Sequence, residues 1–139
     1  MARFKLDKDL ENRIEELRLE CIECYQKGNI EEAINKMLEA WSILPYPKTI
    51  YSESFTVVEL IIELYIRNKE FEKGNKWVDL VFICCLRRID GGDREFIAGK
   101  LAYEQGNLEK AKELFFVANL KSDGRIFENK DFKYIKLIK

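Results

Sequence analysis

Histidine is absent from the 139-residue chain, which removes the commonest general base and the commonest nitrogen ligand for a metal. Proline occurs only as Pro45 and Pro47, both within LPYPKTIYSES, and marks the one clear loop of the first half. No apolar run approaches the roughly 20 residues that a membrane-spanning helix needs; LVFICCL, the most obvious candidate, is far shorter. The opening MARFKLDKDLENRIEEL turns charged within a few residues and lacks an apolar h-region, so no secretory signal is expected. The expected compartment is therefore cytoplasmic, where thiols stay reduced. Charge of one sign is lacking as well. The 24 Lys and Arg nearly balance the 25 Asp and Glu, for a net charge of -1, and give no electrostatic reason to expect nucleic acid or an anionic membrane as partner. Arg87-Arg88 is too short a run to make a basic patch. Nor is there a phosphate-cradling loop, because KGN, DGGD and QGN read as turns between helices.

What is present is an ordinary globular balance, 47% apolar and 35% charged, in a length that predicts one domain burying about two-thirds of its unfolded surface. Between the glycine-containing turns, apolar residues fall at helical spacing. Ile14, Leu17, Cys21 and Cys24 form one stripe, and Ile30, Ala33, Ile34, Met37 and Ala40 the next. Val57, Val58, Ile61, Ile62 and Tyr65 continue the pattern, as do Leu108, Ala111, Leu114, Phe115 and Ala118. Strand-like alternation is missing. The expectation is an all-α chain of about six helices, each about 12–18 residues long, joined by short turns.

The chain also repeats itself. YQKGNIEEAINKMLEA from Tyr25 and YEQGNLEKAKELFFVA from Tyr103 superimpose without a gap. A weaker copy, YIRNKEFEKGNKWVDLV, lies between them with Phe71, Gly74, Val78 and Val81 at matching points of its second helix, and the three copies are 41 and 37 residues apart. Such a period predicts a helical-repeat solenoid. The pattern resembles the tetratricopeptide repeat, whose first helix carries W-x-x-L-G-x-x-Y and whose second carries A-x-x-x-F-x-x-A followed by proline. Ala33, Met37, Ala40 and Pro45 take the second-helix positions in the first copy. Ala111, Phe115 and Ala118 take them in the third, where Gly99 takes the first-helix glycine position. The resemblance implies an all-α, right-handed solenoid of about three helix pairs over residues 8–45, 53–88 and 93–121, with residues 122–139 as a short C-terminal cap.

In that register the four cysteines read as packing residues. Cys21 falls on the small position of the first helix and Cys24 on its aromatic position, both facing the second helix, where cysteine behaves as a small hydrophobe. Cys84 and Cys85 are expected to end the fourth helix, and consecutive helical residues point about 100° apart, a poor start for a tetrahedral metal site. Glu15-Glu16 and Glu31-Glu32 read as solvated helix faces. No catalytic residue, metal, cofactor or small-molecule substrate is expected.

The resemblance places the first helix of each pair along a concave surface. Its outward positions are Glu15, Arg18, Ile22 and Tyr25 in the first pair, and Glu59, Glu63, Ile66 and Arg67 in the second. In the third they are Phe96, Lys100, Tyr103 and Glu104. Mixed charges with exposed aromatics suit a protein partner. A carboxylate clamp for chaperone tails wants Lys, Asn and Arg where this chain has Arg18, Ile22 and Leu60, so that version is rejected. The tail GRIFENKDFKYIKLIK reads either as a capping helix or as an arm that contacts a partner. Finally, F-K-L-D-x-x-L-E, A-W-S-I-L-P-Y-P-K and I-F-E-N-K-D-F-K-Y are similar to segments of small bacterial tetratricopeptide proteins that serve as immunity partners of polymorphic or contact-dependent toxins. Two departures are Asp131-Phe132-Lys133-Tyr134, where that group more often has D-P-K-Y, and Tyr51, where it has tryptophan. This resemblance implies a bacterial immunity protein that binds a cognate toxin domain, a nuclease being the expected class. The alternative is a general adaptor holding a peptide or helix of a cellular complex.

Overall fold

The computed structural model describes residues 4–85 and 89–139. Among the described residues there are seven α-helices and no strand. They are α1 (Lys8–Gln26), α2 (Ile30–Ile43), α3 (Ser52–Arg67), α4 (Phe71–Val81), α5 (Asp93–Glu104), α6 (Leu108–Ser122) and α7 (Phe132–Lys136). The chain falls into two compact units, residues 1–87 and 88–139. In the first, α1 packs on α2, α2 on α3, and α3 on α4; in the second, α5 packs on α6. Arg87-Arg88, with the expected end of the second repeat, lies outside the described residues. The seventh helix lies in the C-terminal segment expected to hold a short capping helix, and its five residues are too few to show a period. α4 stops at Val81 after 11 residues, so Cys84 and Cys85 do not end a helix but lie in the turn beyond it.

Three of the connections are built alike, and they explain why the helices pair. After α1, Gly28 takes φ +81°, its N–H donates to the Tyr25 carbonyl at 3.0 Å, and the Asn29 N–H donates to the Cys24 carbonyl at 2.9 Å. After α5, Gly106 takes φ +91°, with Gly106 N–H to Tyr103 O at 3.0 Å and Asn107 N–H to Ala102 O at 2.8 Å. After α3, Lys69 takes φ +57°, with Lys69 N–H to Ile66 O at 3.0 Å and Glu70 N–H to Tyr65 O at 2.9 Å. Each is a Schellman turn, which satisfies the last carbonyls of one helix through a left-handed residue. In the outer two, the asparagine that closes the turn also caps the next helix. The Asn29 side-chain oxygen accepts from Glu32 N–H and that of Asn107 from Lys110 N–H, both at 3.3 Å. The middle turn has Glu70 there, whose carboxylate instead takes Asn68 at 2.8 Å and Lys73 at 3.0 Å.

From these turns outward, equivalent positions carry equivalent packing. Ala33, Gly74 and Ala111 are buried at the same distance from their turns, and so are Ala40, Val81 and Ala118. Met37 and Phe115 are fully buried at the bulky position between them, whereas Val78 is half-buried. In the first unit, Leu17, Cys21, Val57 and Ile61 complete the core, where Trp41 meets Trp77 edge to face at 5.5 Å. A close approach of two helices is visible in the second unit. A Cβ on Gly99 would stand 2.7 Å from the Phe115 ring, so only glycine lets α5 and α6 cross as they do. One position breaks the pattern: where α1 and α3 bury Leu17 and Val58, α5 buries Glu95, paired to Lys121 at 2.8 Å.

Two stability changes follow. Gly99→Val should destabilise the chain by about 1–3 kcal/mol, the usual cost of overpacking a close-packed core, as measured by urea unfolding. Lys69→Gly should stabilise it by about 0.5–1 kcal/mol in the same assay, because it relieves the left-handed backbone of a non-glycine residue.

Candidate functional site

The cysteines are free thiols, with Cys21, Cys84 and Cys85 buried and Cys24 half-buried. Cys21 lies within the core of the first unit and Cys24 packs against its edge. Burial pushes the Cys21 thiol up to about 11, with the nearby Cys24 adding to the shift and Arg18 opposing it. Cys85 donates its backbone N–H to the Thr49 carbonyl at 2.9 Å, which ties the turn beyond α4 to the Pro-containing loop. Among the described residues no group of three or more Cys, Asp or Glu converges as a metal site would.

On the surface of the first unit, α1 and α3 bring part of the expected set together. The Arg67 guanidinium lies 5.3 Å from the centre of the Tyr25 ring and donates to the Tyr25 hydroxyl and, at 2.9 Å, to Glu63. Burial opposes the charge of Arg67, but the hydrogen bonds to Glu63 and Tyr25 outweigh it and raise its pKa. Two turns back on α1, Glu15 holds Arg18 through two bonds of 2.6 and 2.9 Å. Ile22 and Glu59 are half-buried, whereas Tyr25 is 38% exposed. Ile66 does not belong with them. It is buried at 6%, because α3 is apolar around most of its circumference and such a helix is enclosed; Val57, Val58, Ile61, Ile62, Leu64 and Tyr65 are buried with it.

The expected face of α5 is occupied by the chain's own C-terminal segment. Phe96 is a core residue rather than an exposed contact, at 5% exposure, with ring centres of Phe115, Phe127 and Tyr134 between 5.4 and 5.8 Å away. Tyr103 is half-buried and meets Tyr134 edge to face at 5.2 Å. The Tyr134 hydroxyl donates to Glu104 at 2.7 Å and Lys133 to the same carboxylate oxygen at 2.8 Å. Burial pushes Glu104 up, and these two bonds overcome that and hold it below its ordinary value. Lys100 lies 5.8 Å from the centre of the Tyr134 ring. All four residues expected to face a partner from the third pair therefore touch Tyr134. The sequence signal for this was the density of aromatic residues in the tail, which fixes no target.

A cleft of about 440 Å³ in the second unit is lined by Asp90, Gly91, Lys121, Ser122, Arg125 and Ile126. Its lysine is engaged by Glu95 at 2.8 Å and by the Ile89 carbonyl at 2.9 Å. No family model matches the chain, and neither does any curated protein.

Because the fold favours the neutral Cys21 thiol, its contribution to stability is full below the ordinary thiol value of 9.0 and is lost as pH rises through about 11. In the native protein around pH 8, near the free-thiol value, iodoacetamide should label Cys24 first. Cys21 should stay unlabelled until denaturant is added. Mass spectrometry of the alkylated peptides reads both, and rapid native labelling of Cys21 would contradict its place in the core.

Proposed function

We propose that the chain is a non-catalytic protein-binding module, a right-handed, tetratricopeptide-like solenoid of three helix pairs closed by its C-terminal segment. Three Schellman turns with matching hydrogen bonds, and small residues buried at the same distance from each, support the repeat reading. The observation that carries the binding reading is the surface cluster of Tyr25, Glu63 and Arg67 across α1 and α3. It sets a half-exposed aromatic ring among charges of both signs, the composition of a protein contact. Glu15 is held below its ordinary value by its bonds from Arg18, Glu23 by Lys27, and Glu70 by Asn68 and Lys73, the opposite of the displacement that a general acid requires.

Within this class, the partner implied by the sequence resemblance is a cognate toxin domain with nuclease activity, inhibited by occlusion of its active site. Glu59 and Glu63 suit a basic nuclease surface, where complementary charge sets specificity and association rate. Reversing both charges (Glu59→Lys with Glu63→Lys) should weaken binding of the toxin domain by about 10-fold or more in a calorimetric titration. Because Glu63 is partly buried and paired to Arg67, the reversal should also lower folding stability, by roughly 1–3 kcal/mol, so the titration is made on variant protein whose folding has been checked by circular dichroism. Unchanged affinity would remove this face from the mechanism. Weak binding to several unrelated proteins, with no toxin among them, would replace the immunity role by that of a general adaptor.

A further inference from the structure

The C-terminal segment sits on α5 as a ligand sits on a receptor. α7 has five residues, too short to persist as a helix without support. Among the described residues, the backbone hydrogen bonds of residues 128–139 close within the segment or onto Arg125 and Phe127 just before it, and none reaches α5 or α6. Its deepest anchor is the side chain of Tyr134, 4% exposed, with Ile135, Leu137 and Ile138 packed less completely and Phe132 left 66% exposed. Around the tyrosine stand the floor of the seat, Phe96 and Phe115, one wall, Tyr103, and one carboxylate, Glu104. Lys133 reaches that carboxylate from the surface with its side chain 42% exposed, where an ion pair contributes little. The equivalent positions to Phe96 on α1 and α3 are Arg18 and Glu59. Thus α5 alone carries an aromatic floor there, matched to the ring that lies on it.

We propose that this face of α5 is a peptide-binding seat whose resting occupant is the chain's own tail, and that it accepts a protein segment presenting a tyrosine flanked by lysine, which displaces residues 128–139. The inference stands apart from the reading of the α1–α3 face, and its test contains no toxin, so either can fail without the other.

The probe is a labelled synthetic peptide of residues 128–139, titrated by fluorescence anisotropy against the full chain and against the full chain carrying Tyr134→Ala, which empties the seat. The variant should bind the peptide at least about 10-fold more tightly than the parent, since a tethered tail competes at millimolar effective concentration. Adding Glu104→Gln should weaken that binding several-fold by removing charge from both bonds, and a peptide whose own tyrosine is alanine should not bind. Equal binding to parent and variant, or binding to neither, would make the tail a fixed structural cap and overturn the proposal. Should Tyr134→Ala fail to fold, amide hydrogen exchange of the unaltered full chain decides. Residues 134–138 should open separately from the centre of α6, whereas equal protection, with opening only on global unfolding, would overturn displacement. A concentration-dependent dimer of the parent chain would assign the seat to a second copy's tail and overturn the assignment to a partner segment.

Discussion

The structure depends on how closely two helices of a pair can approach. A Schellman turn returns the chain within a few residues, so each second helix must cross the first immediately after the bend. At such a crossing the side chains must be small. Ala33, Gly74 and Ala111 supply the small surface at the start of the second helix, and Gly99 supplies it on α5 against Phe115. Everything larger is sorted around that requirement. Met37 and Phe115 fill the space beside the crossing, and the polar residues are left to the opposite faces. The same constraint accounts for two of the cysteines. Cys21 occupies a crossing position on α1 equivalent to that of Gly99 on α5, and Cys24 stands one turn further on.

This constraint is also why so much of the fold was legible in the sequence. A turn that needs glycine in the left-handed region, asparagine after it and alanine four residues later writes a recognisable string, and it is written twice, at Gly28 and Gly106. The middle copy obeys the same geometry with other residues. Lys69 accepts the positive φ, Glu70 caps without a side-chain bond to the backbone, and Gly74 stands for alanine, so the likeness fades although the hydrogen bonds do not. What local patterns missed is long-range. Nothing in the spacing of Phe96, Lys100, Tyr103 and Glu104 announces that residue 134, 30 positions beyond Glu104, will lie on them. A partner-facing stripe and a stripe covered by the chain's own tail have the same period. For the same reason Ile66 read as outward on α3, where the period of one face is hidden by apolar residues on most of the others. The stop of α4 at Val81 was illegible because VFICCL continues the apolar density straight past it.

The candidate contact surface divides accordingly. On the first unit, the cluster of Tyr25, Glu63 and Arg67 keeps its polar groups engaged with one another while Tyr25 and Arg67 stay partly exposed to solvent. Such prearranged side chains lose little rotamer freedom when something docks on them. On the second unit, the equivalent surface has traded charge for aromatic rings, and those rings are spent internally on Phe127 and Tyr134.

The distribution of aromatic residues has an optical consequence. Both tryptophans, Trp41 and Trp77, lie in residues 1–87 and touch each other edge to face. Residues 88–139 hold no tryptophan, only Tyr103 and Tyr134, which are in contact across the seat. Red-edge excitation therefore lights the first unit alone. The near-ultraviolet dichroism of the six tyrosines reports both units together. The protein thus carries its own readout of the first unit, whose melting is followed by tryptophan emission without attaching a dye.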